Sequence, residues 1–106
     1  MICIVCKSEF LAAAIRTVCI SHVKETIKIL PQSFLSDTLV NEDVRLVFFD
    51  SSLFIDSASF RQKSPDTQFV VISSVGDEAL VEKALICGAS DFILCPFTEK
   101  GVISCL

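Results

Sequence analysis

Two sets of residues in this chain have types and spacing suited to chemistry. Cys3 and Cys6 form a C-x-x-C pair, while Asp50, Ser73 and Cys95 each stand at or just past the end of a short apolar run. A C-x-x-C pair serves thiol exchange when it opens a helix, and zinc when two further ligands stand near by. Neither condition is met here: Ile2 to Cys6 reads as a strand, where an odd separation turns the two side chains to opposite faces. Asp50 can cap the turn that follows it, or pair with a cation, for which Lys7 is the candidate. His22 stands alone between a helix and a strand and is given no role.

Six cysteines in 106 residues would suit a disulfide scaffold in a small secreted chain. A chain that is 52% hydrophobic, with 21% charged residues and only three glycines and three prolines, has enough apolar material to fold without staples. Most of the cysteines therefore read as small core residues. The length allows one domain, residues 1–106, built on one core. A net charge of −4, no basic cluster, and no Trp or Tyr argue against nucleic acid as a partner of this segment. Its apolar runs are too short to span a bilayer, so a soluble, cytoplasmic protein is expected.

The elements that must position these residues follow from periodicity. ICIVC (2–6), Thr26 to Leu30, RLVFF (45–49), FVVI (69–72) and Phe92 to Leu94 are short, nearly continuous apolar runs, as strands buried on both faces require. Between them lie helical segments. One follows Ser8, with Phe10, Leu11, Ala14, Ile15, Val18 and Cys19 as its stripe; another covers Ser33 to Val40, with Phe34, Leu35, Leu39 and Val40 on one side. Further helices are expected over Asp56 to Lys63, from an Asp77 cap through Cys87 to a left-handed Gly88, and from Thr98 onward. Cys95-Pro96 makes the turn before the last of these. Strands alternating with helices through short loops call for an α/β fold, a parallel sheet with helices on both faces. Sites in such sheets form at the carboxyl ends of strands, where the order reverses. Here those ends carry Cys6, Lys7, Asp50, Ser73, Ser74 and Cys95.

These strand ends, together with the segment GASDFILCPF (88–97), make the chain resemble the receiver domain of bacterial response regulators. The resemblance covers nearly the whole chain, and the separations of 44 residues from Cys6 to Asp50 and 22 from Ser73 to Cys95 agree with it. It implies a flavodoxin-like (βα)5 sandwich with a five-stranded parallel sheet in the order 2-1-3-4-5. It also implies that Asp50 is the phosphoacceptor position, and that Ser73 and Phe92 form the switch. Read without the resemblance, Ser73 satisfies backbone groups and Phe92 fills the core.

The chain departs from the family where the chemistry is concentrated. Cys6 and Lys7 stand in place of the acidic pair that holds Mg²⁺, and Cys95 in place of the lysine that pairs with the phosphoryl oxygens. The 23 residues from Asp50 to Ser73 are several fewer than usual, so the third helix or its loop should be trimmed. Phosphoryl transfer depends on neutralising charge on the equatorial oxygens, and without metal and lysine it should be slow. Asp50 with Lys7 is already neutral, so no metal and no other cofactor is expected, with the Lys7 ammonium paired to Asp50. Cys6 and Cys95 read as packing residues, unless close enough for a disulfide.

The function expected is that of an atypical receiver in signal transduction, with no enzymatic activity. It would be a phosphorylation-independent interaction and dimerisation module whose partner is a histidine kinase or an output protein or domain. A homodimer is expected through the face of the fourth helix, fifth strand and fifth helix, with Val81 and Leu85 at the interface. Two alternatives belong to other classes. One is a receiver that still accepts a phosphoryl group on Asp50 from a histidine kinase. The other is a redox or flavin protein, which the missing phosphate loop after the first strand argues against. The short last helix suits the front part of a longer response regulator.

Overall fold

In a computed structural model, which describes residues 1–53, 57–74, 78–95 and 97–106, the chain forms one sheet between two layers of helices. Of Ser57, Arg61, Lys63 and Ser74 only the backbone is described. Strands β1 (Ile2–Val5), β2 (Ile27–Ile29), β3 (Leu46–Asp50), β4 (Gln68–Ser74) and β5 (Asp91–Cys95) are all parallel, in the order β2-β1-β3-β4-β5. The flavodoxin-like order expected from the sequence is the one observed. The helices are α1 (Glu9–His22), α2 (Leu35–Asn41), entered through a 3₁₀ turn at Gln32–Phe34, α3 (Ser57–Lys63), α4 (Glu78–Ile86) and α5 (Glu99–Ile103). The expected helix start at Asp56, the Asp77 cap and the Pro96 turn lie outside the described residues.

Alternation along the strands divides the interior into two cores. Cys3, Val5, Val47, Phe49, Phe69 and Val71 face α2 and α4, where they meet Leu35, Leu39, Val81 and Ala84. Ile2, Ile4, Leu46, Phe48, Val70, Ile72 and Ile93 face the other way and meet Ala12, Ile15 and Cys19 of α1 and Val102 of α5. Each buried Phe or Ile contributes about 1.5–3 kcal/mol relative to exposure. Cys3 and Cys6 fall on opposite sides of the sheet, as their spacing required. All six cysteines are free thiols.

Several helix faces differ from the expected stripes. Phe10 is 91% exposed and Ala14 is exposed, while Ala12 takes the buried position. The Ser8 hydroxyl accepts from the Leu11 N–H at 3.3 Å and so fixes where α1 begins. That phase buries Ala12, Ile15 and Cys19, three residues then four apart. In α2 only Leu35 and Leu39 are buried, and Phe34 and Val40 face solvent. Gly88 has φ +108°, the left-handed cap expected after the fourth helix. A Cβ there would lie 3.0 Å from the Ala58 nitrogen, because the Ala58 N–H donates to the Cys87 carbonyl at 2.8 Å.

Candidate functional site

Strand order reverses between β1 and β3, and their register pairs Val5 with Phe49. Cys6 and Asp50, one residue further along each strand, therefore lie side by side at the carboxyl edge. Asp50 pairs in turn with Ile72 of β4, and Ser74 with Cys95 of β5. Short turns hold the edge: the Ser51 N–H donates to the Ile72 carbonyl at 2.8 Å, and the Leu53 N–H to the Asp50 carbonyl at 3.0 Å. A cavity of about 380 Å³ opens here between Ser8 and Leu11 at the start of α1, Asp50, Ser51 and Ser52, Ile72 and Ser73, and Cys95.

Asp50 is half-buried, and its Oδ1 accepts from the Ser52 N–H at 3.0 Å. This is the turn-capping geometry available to any Asp at a strand end. The expected Lys7–Asp50 pair is not formed: Lys7 is exposed, and no ion pair among the described residues joins the two. The Ser52 N–H serves the carboxylate locally, and nothing offsets the cost of ordering a long lysine side chain. Burial, then the Asp50 charge, then Cys95, push the Cys6 thiol up to about 12. Burial and the same carboxylate also raise Cys95. Both thiols are neutral at physiological pH, so Asp50 is the one charged side chain among the described residues lining the cavity.

Mg²⁺ takes oxygen ligands in near-ideal octahedra, and one carboxylate beside neutral thiols does not supply them. The residues present do not fit that ion. No group of three His, Cys, Asp or Glu among the described residues is arranged to hold a metal.

Neither plain reading of the switch pair holds. Ser73 is only 3% exposed and its hydroxyl has no hydrogen-bond partner among the described residues, so it satisfies no backbone group there. Phe92 is 43% exposed, because β5 is the edge strand and α4 lies over β4, leaving one face of β5 open.

The same edge carries the residues of the expected interface. Val81 is 9% exposed and belongs to the core with Ala84, so it forms a floor, while Leu85 is exposed. Between α4 and β5 runs a mostly apolar groove of about 580 Å³, lined by Val81, Leu85, Ile86, Phe92 and Leu94 with Glu78 and Glu82 beside them. Ile86 and Leu94 were missed from the sequence, and Phe92 was read there as a switch residue and not as part of the interface. An edge position for β5, implied by the strand order, was the available signal. Helix α5 packs against α1, with Val102 in the second core and Glu99 3.2 Å from His22 Nε2, and it also borders β5 along a groove lined by Leu94, Thr98 and Gly101.

No protein-family model and no curated protein matches the chain. Solved structures do. The receiver domain of NtrX from Brucella abortus is 22% identical, with a TM-score of 0.85 over 98% of this chain and 92% of that one. The N-terminal signal receiver domain of a two-component system response regulator from Bacteroides fragilis is 21% identical, with a TM-score of 0.78 over 99% and 91%. Full-length FixJ from B. japonicum is 19% identical, with a TM-score of 0.77; the match covers 97% of this chain but 53% of FixJ. The fold is thus that of receiver domains.

Proposed function

We propose that this receiver-fold domain works in two-component signal transduction as an interaction module that needs no phosphorylation and catalyses no reaction. The observation that carries this reading is the Asp50 edge. The carboxylate is kept, but neutral Cys6 and Cys95 occupy two of the positions from which a receiver would neutralise a phosphoryl group, and Lys7 turns to solvent. Transfer to Asp50 would build negative charge beside groups that cannot balance it.

Output then comes from contact. The α4–β5 groove takes a second copy of the chain: Ile86, 78% exposed, projects beside the recess formed with Phe92 and Leu94. A two-fold axis through this face would bring each Ile86 against the partner's recess, the self-complementary arrangement an isologous dimer needs. The wider partner is a histidine kinase or an output protein or domain. Among the described residues no helix is long and apolar enough to cross a membrane, and a cytoplasmic location suits this role.

One observation favours the second reading, phosphoryl acceptance on Asp50: Ser73, whose buried hydroxyl has no partner among the described residues, lines the same cavity, and a turn about its one side-chain dihedral would offer that hydroxyl to a phosphoryl oxygen. Intact mass after incubation with a small phosphodonor, with and without Mg²⁺ and beside Asp50→Asn, separates the two. An unchanged mass is the expected result. A gain of one phosphoryl group that disappears in Asp50→Asn would establish acceptance instead.

A further inference from the structure

We propose that the Asp50 cavity is a binding site for a guanidinium group, presented by an arginine of a partner protein. Three features converge. First, the Asp50 carboxylate is half-exposed and has no cation among the described residues; its one hydrogen bond there comes from the Ser52 N–H. Second, Ser73 lines the same cavity, is only 3% exposed, and its hydroxyl lacks a partner among the described residues. A buried polar atom left unpaired costs free energy that a ligand's donor recovers, and serine has a single side-chain dihedral to turn toward it. Third, the other described lining residues are apolar or neutral, Leu11, Ile72 and the Cys95 thiol among them.

That combination selects among ligands by chemistry. An anion meets the Asp50 charge with no opposing cation among the described lining residues. A hard divalent ion finds one carboxylate and otherwise only neutral groups among the described lining residues. An ammonium is compact and strongly hydrated, and it loses that hydration against Leu11 and Ile72. A guanidinium is planar and weakly hydrated, and its fork of donors can reach a carboxylate and a hydroxyl together. The site thus reads a cation supplied from outside, at the place where the chain itself carries Cys95.

The inference rests on the reading that Asp50 stays unphosphorylated. Its test is an NMR titration of the full chain, following the backbone amides of Ser52 and Ser73. The probes are N-acetyl-arginine N-methylamide, its lysine counterpart and agmatine. Saturable shifts are expected, with arginine half-saturating on the order of 10 mM, as one charge-assisted pair implies, and about fivefold below lysine. They should vanish in Asp50→Asn and in Asp50→Ser, and weaken severalfold in Ser73→Ala; spectral dispersion reports that each variant is folded. Tighter binding of the capped arginine than of agmatine supports a polypeptide source, and the reverse overturns the partner-protein assignment in favour of a small molecule. Absence of saturable shifts, equal binding of lysine, or unchanged shifts in both Asp50 variants overturns the site. Intact mass of the same sample reads the phosphorylation question separately, so failure of one idea is distinguishable from failure of the other.

Discussion

Deleting the Ser73 hydroxyl should make the protein more stable. In the folded chain this oxygen is buried without a partner among the described residues, whereas in the unfolded chain water satisfies it. A buried unsatisfied polar group of this kind costs about 1–3 kcal/mol. Ser73→Ala removes that cost and leaves a void of one oxygen, a penalty of a few tenths of a kcal/mol by the usual cavity dependence. The net expectation is a gain of about 1–2 kcal/mol. For a chain of 106 residues, each kcal/mol raises Tm by about 4–8 °C. With an m-value of about 1–3 kcal/mol/M, the urea midpoint should rise by roughly half a molar or more. Ser8→Ala provides the contrast. It removes the same atom from a serine whose hydroxyl does accept a hydrogen bond, and should destabilise by about 1 kcal/mol. Equilibrium urea unfolding of the three proteins is the assay. Loss of stability in Ser73→Ala would refute the reasoning, since it would mean that the hydroxyl is satisfied in solution. A gain would mark Ser73 as a residue whose presence costs stability, the signature of a group retained for binding.

Three further outcomes are expected. Gly88→Ala should cost about 2 kcal/mol or more, since it forces a side chain into a positive φ and against the Ala58 nitrogen; an unchanged urea midpoint would refute this. Phe92→Ser combined with Leu94→Ser should convert a dimer to a monomer in sedimentation while shifting stability by only about 0.5 kcal/mol per site, both side chains being exposed. A wild-type protein that sediments as a monomer at high concentration would remove the interface. A hydrogen bond from Arg45, whose Nε lies 2.9 Å from Oε1, holds the Glu25 carboxyl below its usual 4.5 against the opposing effect of burial, with a lesser contribution from the Met1 ammonium. A lowered folded pKa contributes stability that is full above that usual value and disappears as pH falls through the folded one. Wild type should therefore lose more urea resistance than Glu25→Gln between about pH 7 and about pH 3, and equal losses would refute the link.

The strands were legible in the sequence because interior parallel strands are apolar on both faces, and runs such as Ile2 to Val5 and Leu46 to Phe49 have few other uses. Helix limits followed where a cap set them, as at Ser8, Thr98 and Gly88. Composition failed at the periphery. Phe92 and Val81 are both apolar, yet the edge position of β5 exposes the first, and the seat of α4 over the sheet buries the second. The residues of the Asp50 cavity were legible as strand ends. Their interactions were not, because a Lys7–Asp50 pair and a solvated Lys7 have the same sequence, and only the Ser52 N–H beside the carboxylate decides between them.

The division of the interior by the sheet has a consequence for how the molecule opens. Cys3 lies wholly buried in the core under α2 and α4, and Cys19 wholly buried in the core under α1 and α5. Burial first of all raises both thiols to about 11, so neither reacts until its own layer parts from the sheet. The protein thus carries a native reporter on each side. Thiol-labelling rates at Cys3 and Cys19, followed against urea, would tell whether the two layers melt as one cooperative unit or as separate ones. Equal opening free energies would mean that a perturbation at the α4 face is felt under α1; unequal ones would make the sheet an insulating wall between two independently yielding halves.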